Sequence, residues 1–192
     1  MSLTSFFTSK IKIDEHVVLA PITLADSTDM FETIHSQRDY LGKWLPFVVF
    51  TQQVEDSRNY IRSVLGAPEN TREHVYTIRY DGVFAGLIGL KAIDKANHKT
   101  EIGYWLSEPF QKQGIISRSV VALCRHAFSN LNVNRVQIKC AVGNEPSKRI
   151  PQRLGFCFEG IERDGELLTG NAYADIEVYS ILKREFEQTH KH

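Results

Sequence analysis

A short stretch over residues 107–119 carries the residue types that could hold an anionic ligand. Gln111 and Gly114 stand three residues apart, with Lys112 and Ser117 beside them. The stretch follows a segment with strand-like alternation and precedes one with helical spacing, which predicts a strand-to-helix turn. The first turn of a helix leaves backbone N–H groups without intrahelical partners and carries partial positive charge. The pattern therefore indicates a site for a diphosphate, which a glycine would allow close to the backbone.

The glycine loop by itself is a weak signal, because an ordinary strand-to-helix turn has the same residues. Two better-defined phosphate motifs are missing from the sequence. There is no G-x-x-x-x-G-K-[ST] segment, which disfavours a P-loop. There is also no G-x-G-x-x-G dinucleotide fingerprint. Binding of ATP or NAD at Gly114 is therefore disfavoured.

The elements that must position this loop follow from apolar periodicity and turn residues. Strands are predicted over 17–23, in a hairpin over 74–94 turning at Asp81-Gly82, over 99–107, over 135–143, and twice more after Gly155. Helices are predicted from Asp26 or Ser27 onward, over 52–66, over 115–130, and from 145 to 155, where Pro151 indicates a kink or break. A short charged helical tail is predicted to follow the last strand.

The order of these elements predicts the fold class. The strand–helix–strand unit from 99 to 143 indicates one parallel strand pair within an otherwise mostly antiparallel sheet. We therefore expect a mixed α/β (α+β) fold, with residues 1–192 forming a single domain. Alternation predicts two faces for the strand 99–107: Glu101, Gly103 and Trp105 on one, and Ile102, Tyr104 and Leu106 on the other. In the strand 135–143 it places Val136, Ile138, Cys140 and Val142 on one face.

The charge balance argues against one class of partner. Lys+Arg and Asp+Glu both number 23, so the formal net charge is zero. A protein that binds nucleic acid through phosphate contacts usually carries a basic excess. Direct nucleic-acid binding is therefore not expected.

The cysteines and the termini bear on compartment. Cys124, Cys140 and Cys157 are too few and too widely spaced for a disulfide framework or a zinc site, so we expect reduced thiols and no metal. The segment 1–16 lacks the apolar run of a secretory signal. No segment approaches the ~18 apolar residues that span a membrane. Together these features predict a cytoplasmic protein without a membrane partner.

The succession of motifs resembles the GNAT acetyltransferase superfamily. Its central pattern is a strand, Gln111-x-x-Gly114, a helix, a second strand, and the segment 144–156. Ile116 stands where that superfamily has a small residue. Five segments resemble more narrowly the ribosomal-protein alanine and serine N-acetyltransferases, over about residues 10–187. They are "LGKWLPF" (41–47), "EIGYWL" (101–106), "QKQGI" (111–115), "NEPSKRIPQRLGF" (144–156) and "YADIEVYSILKREF" (173–186).

The resemblance implies acetyl-CoA as the acyl donor. Backbone amides of the loop would bind its pyrophosphate, and its pantetheine arm would lie between splayed strands 99–107 and 135–143, pairing with backbone as an added strand does. The donor-binding residues implied are Tyr104, Trp105, Leu106, Gln111, Lys112, Gln113, Gly114, Ile115, Ile116, Ser117 and Asn144.

The reaction implied is attack of a neutral amine on a thioester, which needs a proton acceptor and a donor for the leaving sulfur. Glu101 is the first candidate for a base or water holder; the alternative is an exposed glutamate paired with a cation such as Lys99. Ser147 is the candidate donor to the sulfur; the alternative is plain helix capping. Asn144 would contact the donor molecule, or simply form a turn.

On the acceptor side, Trp44 and Phe47 would wall the site, the alternative being ordinary core packing. Asp175 would hold the acceptor amine electrostatically. The resemblance implies a protein N-terminus as acceptor and makes a homodimer an expectation. Two other functions stay open: acetylation of a small amine or antibiotic, and acyl-CoA binding without turnover.

Overall fold

A computed structural model describes residues 9–91 and 93–190. In that part of the chain, eight strands form one sheet in the order β1-β2-β3-β4-β5-β6-β8-β7. The strands are β1 (Ile11–Lys12), β2 (Val17–Pro21), β3 (His74–Tyr80), β4 (Val83–Leu90), β5 (Lys99–Leu106), β6 (Arg135–Ala141), β7 (Cys157–Leu168) and β8 (Ala172–Leu182). The helices are α1 (Ser27–Ser36), α2 (Arg38–Leu41), α3 (Val54–Gly66), α4 (Ile115–Asn130), α5 (Glu145–Arg153) and α6 (Lys183–Thr189). Short 3-10 helices cover Leu24–Asp26, Pro46–Phe50 and Glu108–Phe110.

The sheet confirms the predicted fold class. β5 and β6 are parallel, and the other described strand pairs are antiparallel. Pairing of β5 with β6 covers only three positions and ends at Glu101 opposite Gln137. Beyond that point β5 stays paired with β4 as far as Leu106, whereas β6 stays paired with β8 as far as Ala141. The two strands therefore diverge, and the edges that face each other keep backbone groups without a strand partner.

Helices cover both faces of the sheet, and the alternation predicted for β5 is confirmed. Ile102 on β5 belongs to the core cluster that α4 covers, with Tyr104 packed against it. Trp105 belongs instead to the cluster of α1 and α3, where it packs near Phe84. From α4, the residues buried in the first cluster are Ile115, Ile116, Val120, Leu123, Cys124, Ala127 and Phe128. Because β5 contributes to both cores, its backbone is firmly held beside the opening in the sheet.

The structure excludes a break in α5 and makes β6 shorter than predicted. Pro151 does not break the helix, since α5 continues to Arg153. Proline removes the N–H that the carbonyl four residues earlier would accept from, and the Tyr104 hydroxyl donates to that carbonyl instead, with 3.1 Å between Tyr104 Oη and Ser147 O. β6 ends before Val142, which is exposed, because Gly143 at φ 89° begins a turn.

The sequence analysis missed the short strand β1 and did not separate α2 from α1. The expectation that no secretory segment is present rests largely on residues 1–8, which lie outside the described residues. Across the described ranges, no helix combines the length and apolar character needed to cross a membrane.

Candidate active site

The loop before α4 has a left-handed backbone conformation at its glycine, which the sequence analysis did not predict. Gly114 is the N-cap of α4 with φ 70°, and Lys112 also has a positive φ of 61°. The N–H of Arg118 makes the first helical hydrogen bond, to the Gly114 carbonyl at 3.1 Å. The preceding amides, from Ile115 to Ser117, are first-turn groups without intrahelical acceptors. The side chains of Ile115 and Ile116 are buried in the core, so the loop offers backbone rather than side chains to a ligand.

The loop is held from behind by two residues that the sequence analysis missed. Gln37 Nε2 donates to Ser107 Oγ at 2.8 Å, and Gln37 Oε1 accepts from the Glu108 N–H at 2.8 Å. The Gln111 side-chain amide donates to the Tyr40 hydroxyl. Gln111 is thus engaged in fixing the loop. Sequence spacing offered no signal for Gln37 and Tyr40, because their partners lie about 70 residues away.

A first cavity of about 430 Å³ lies between this loop, the end of β5 and α5. Its walls include most of the loop residues and the apolar side chains of Leu106, Phe110 and Ile150. Arg149 and Arg153 also line it, one helical turn apart on α5. Together with Lys112 they place three cations around a cleft that also presents first-turn amides. The i, i+4 arginine pair was visible in the sequence and was overlooked.

A second cavity of about 340 Å³ adjoins the first. Its apolar wall includes Phe47 and Tyr60, and its polar wall carries the carboxylates of Glu73, Glu101 and Glu166. Two lysines also line it, Lys91 and Lys139. The residues common to both cavities are Trp44, Leu45, Tyr104, Trp105, Asn144 and Ser147.

Ser147 stands at the boundary of the two cavities. Asn144 caps α5, its Oδ1 accepting from the Ser147 N–H at 3.4 Å. Ser147 Oγ donates to Tyr104 Oη at 3.3 Å, while Tyr104 Oη donates to the Ser147 carbonyl. Burial raises the pKa of Tyr104 above its usual value, more than the hydrogen bond with Ser147 lowers it. The phenol therefore stays protonated. The capping role suggested for Ser147 belongs to Asn144, and Ser147 presents its hydroxyl to the cleft.

Glu101 is not the exposed glutamate of the alternative interpretation. Its side chain is 14% exposed, and Oε1 lies 2.5 Å from Lys91 Nζ. Gln137 Nε2 donates to Oε2 at 2.9 Å. Lys99, the cation suggested by the sequence, lies instead 3.8 Å from Asp94. Glu101 is thus an oriented carboxylate in the wall of the second cavity.

Two of the sequence-predicted site residues lie outside both cavities. Gln113 is exposed, and its amide donates to the Pro109 carbonyl at 3.3 Å. Asp175 is exposed in the β7–β8 hairpin, where Oδ1 accepts from the Asp164 N–H at 2.9 Å. The other predicted residues line one cavity or both.

The three cysteines are the remaining candidates for reactive or metal-binding side chains that the sequence raised. Cys140 is 5% exposed in the core beside the second cavity, and burial raises the pKa of its thiol to about 11. It is a core residue, as expected. All three cysteines are free. Among the residues described, no group of three or more His, Cys, Asp or Glu side chains could hold a metal ion.

Comparisons with known proteins agree with this geometry. A family model described as an acetyltransferase (GNAT) domain matches residues 16–157. YdaF of Bacillus subtilis, named as a candidate ribosomal N-acetyltransferase, is 36% identical over 182 residues, which is 92% of this chain and 96% of YdaF. The ribosomal-protein-serine acetyltransferase of Escherichia coli is 30% identical over 173 residues, covering 90% of this chain and 96% of that protein.

Solved structures give the same picture. RimL, a ribosomal-protein alpha-N-acetyltransferase in complex with coenzyme A, superposes with a TM-score of 0.85 at 26% identity, over 91% of this chain and 98% of RimL. The microcin C7 self-immunity acetyltransferase MccE, in complex with acetyl-CoA and AMP, superposes with a TM-score of 0.86 at 28% identity. That match covers 93% of this chain and 99% of MccE.

Proposed function

We propose that the acceptor of this enzyme is the α-amine at the N-terminus of a protein. The chain belongs to the GNAT acetyltransferase family and is an acetyl-CoA-dependent N-acetyltransferase. The observation that carries the proposal is the meeting of two cavities at Ser147, one suited to a polyanionic donor and one to an amine. Support for a protein acceptor comes from two similar proteins that are named as acetyltransferases of ribosomal proteins.

The donor would occupy the first cavity. Its pyrophosphate would accept from the first-turn amides of α4, with Lys112, Arg149 and Arg153 supplying positive charge nearby. Its pantetheine arm would enter the gap where β5 and β6 diverge and use their free backbone groups. The thioester would then lie where the two cavities meet, beside Tyr104 and Asn144, which line both of them.

The acceptor would occupy the second cavity. Its three carboxylates outnumber its two lysines, so the cavity favours a cationic amine. Lys91 is already paired with Glu101, and Lys139 with Glu162. The aromatic rings of Trp44 and Phe47 would pack against the side chain of the acceptor's first residue. Asp175 has no part in this arrangement.

The chemistry needs little from the protein beyond orientation and one proton donor. A protein α-amine has a pKa near 8, so roughly a tenth of it is already neutral at pH 7. The amine nitrogen bonds to the thioester carbon, the C–S bond breaks, and the amine proton leaves through water held by Glu101. Ser147 donates a hydrogen bond to the departing sulfur, which lowers the barrier to thiolate release.

Donor binding is tested by thermal unfolding with acetyl-CoA, run beside ATP and NAD. A ligand that binds the folded state alone, at ~100 times its dissociation constant, adds about 2.7 kcal/mol of stability. We expect a shift with acetyl-CoA and none with ATP or NAD. A shift with ATP instead would contradict the assignment of the loop.

The acceptor is tested with matched peptides. One peptide has a free N-terminal serine or alanine; its control has the same sequence with a blocked N-terminus and a lysine inside. We expect acetyl transfer to the first and none to the second. The runner-up acceptor is a small amine or antibiotic, favoured by the likeness to MccE. Turnover of polyamines or aminoglycosides with all peptides inert would replace our proposal with that one.

We propose that the enzyme works in the cytoplasm, as a homodimer, without direct contact to nucleic acid. Sedimentation of the purified chain would test the dimer, and a monomer at all concentrations would contradict it.

A further inference from the structure

The hydrogen bonds between Tyr104 and Ser147 follow from a proline inside α5. In an α-helix the carbonyl of one residue accepts from the N–H four residues later. The partner of the Ser147 carbonyl would be residue 151, which is proline and has no N–H. Tyr104 Oη lies 3.1 Å from that carbonyl and donates to it. A side chain of β5 thus supplies the bond that Pro151 withholds.

The same phenol also receives the Ser147 hydroxyl. Ser147 Oγ donates to Tyr104 Oη at 3.3 Å, so Ser147 is held by Tyr104 at both its backbone and its side chain. The phenol keeps its proton and directs it at the Ser147 carbonyl, so a lone pair of Tyr104 Oη is available to accept from the serine hydroxyl. A serine hydroxyl has one proton and rotates to suit its acceptor. It can turn from the neutral phenol to the sulfur when negative charge develops there.

We propose that Tyr104 is a positioning residue for Ser147, and that Pro151 creates this role by freeing the Ser147 carbonyl. The inference rests on the proposed function of Ser147 as donor to the leaving sulfur. Tyr104 fixes the first turn of α5 against β5 and aims the serine hydroxyl at the boundary of the two cavities. Without the phenol, the Ser147 hydroxyl is free to sample orientations that miss the sulfur.

The proposal is tested by a double-mutant cycle of Tyr104→Phe and Pro151→Ala. Alanine at 151 restores a backbone N–H, so the Ser147 carbonyl no longer depends on Tyr104. We expect Y104F alone to lower kcat about tenfold, because small misplacements of a reacting group are costly, with the KM for acetyl-CoA nearly unchanged. In the P151A background the same change should lower kcat threefold or less, to be read as the ratio within that background.

Stability supplies a second cycle that needs no activity. Y104F should lower the urea midpoint when Pro151 is present, because a carbonyl loses its donor, and should lower it less in the P151A background. Tyr76→Phe is the matched control. The Tyr76 hydroxyl is buried and has no hydrogen-bond partner among the described residues, so this change should not lower the midpoint.

The outcomes separate this inference from the proposed function. Equal losses of kcat for Y104F with and without Pro151 would overturn the role of Pro151. An unchanged kcat, or a rise in the KM for acetyl-CoA alone, would overturn the positioning role, and each of these results leaves acetyl transfer intact. If no amine is acetylated at all, the proposed function fails, and the urea cycle still decides whether Tyr104 and Pro151 are coupled. Absence of that coupling would overturn the inference.

Discussion

The two cavities differ in how their walls are assembled along the chain. The first takes much of its wall from one contiguous stretch, the loop over 111–117, and from one face of α5. The second draws its wall from α1, α3, β3, β4, β5, β6 and β7, elements spread over more than 130 residues. A contiguous motif binds through backbone geometry and is readable in a sequence. A wall made of distant side chains depends on how the elements pack, and it decides the acceptor.

Ser147→Ala should have the largest effect, because Ser147 lines both cavities. We expect kcat to drop about a hundredfold, the lower end of what a positioned proton donor contributes, with both KM values changed little. Steady-state kinetics with acetyl-CoA and a peptide would measure this. Ser36→Ala is the control, since Ser36 donates to backbone in α1. An unchanged kcat would leave Ser147 without a part in the transfer step.

Gly114→Ala should damage the donor side selectively. An L-residue at φ 70° costs about 1–2 kcal/mol, and relief of that strain would turn the first-turn amides away from the pyrophosphate. We expect acetyl-CoA affinity to fall about tenfold, measured by calorimetry, with the acceptor KM unchanged. Gly66→Ala is the control, because Gly66 has no positive φ and an added Cβ would meet nothing within 4 Å. Equal losses of acetyl-CoA affinity in the two variants would argue against a role of the loop in donor binding.

Glu101→Gln should damage the acceptor side selectively. The loss of one oriented charge costs about 1 kcal/mol, so kcat/KM for the acceptor should fall about fivefold while the KM for acetyl-CoA stays constant. Glu55→Gln is the control, because Glu55 is also paired with cations, Arg58 and Arg62, and none of the three lines the second cavity. If both variants behave alike, the acceptor does not use Glu101, and the division between the cavities is less sharp than we propose.

His74→Gln should affect neither cavity and only stability, with the smallest effect. Burial lowers the pKa of His74 to about 4, with Arg72 adding to the shift. The unfolded chain protonates this ring near pH 6.5, so the folded state loses stability as pH falls from about 6.5 towards 4. Because the ring is partly exposed, we expect the wild type to lose only about 2 °C more in Tm than H74Q over that range. If the Tm values of the wild type and H74Q fall equally over that pH range, the prediction is wrong.

Local chemistry was readable from the sequence where neighbours along the chain create it. The strand-to-helix turn at Gly114, the Asp81-Gly82 turn and the two faces of β5 all follow from residue type and periodicity. The parallel pair followed from the order of elements. Pro151 shows the limit of such reasoning, because a proline predicts a broken helix unless something outside the helix satisfies the freed carbonyl. Tyr104 does so from a position 43 residues before Ser147.

The sequence by itself determined the strand-to-helix turn at Gly114 and the class of fold, since turn residues and apolar periodicity are local properties. The tertiary structure alone decided the partner of Glu101, the anchoring of Gln111 by Tyr40, and the placement of Asp175 outside both cavities. Each of these depends on which side chain crosses the sheet or a loop to reach another. Such contacts are set by packing of the whole core, and no spacing along the chain encodes them.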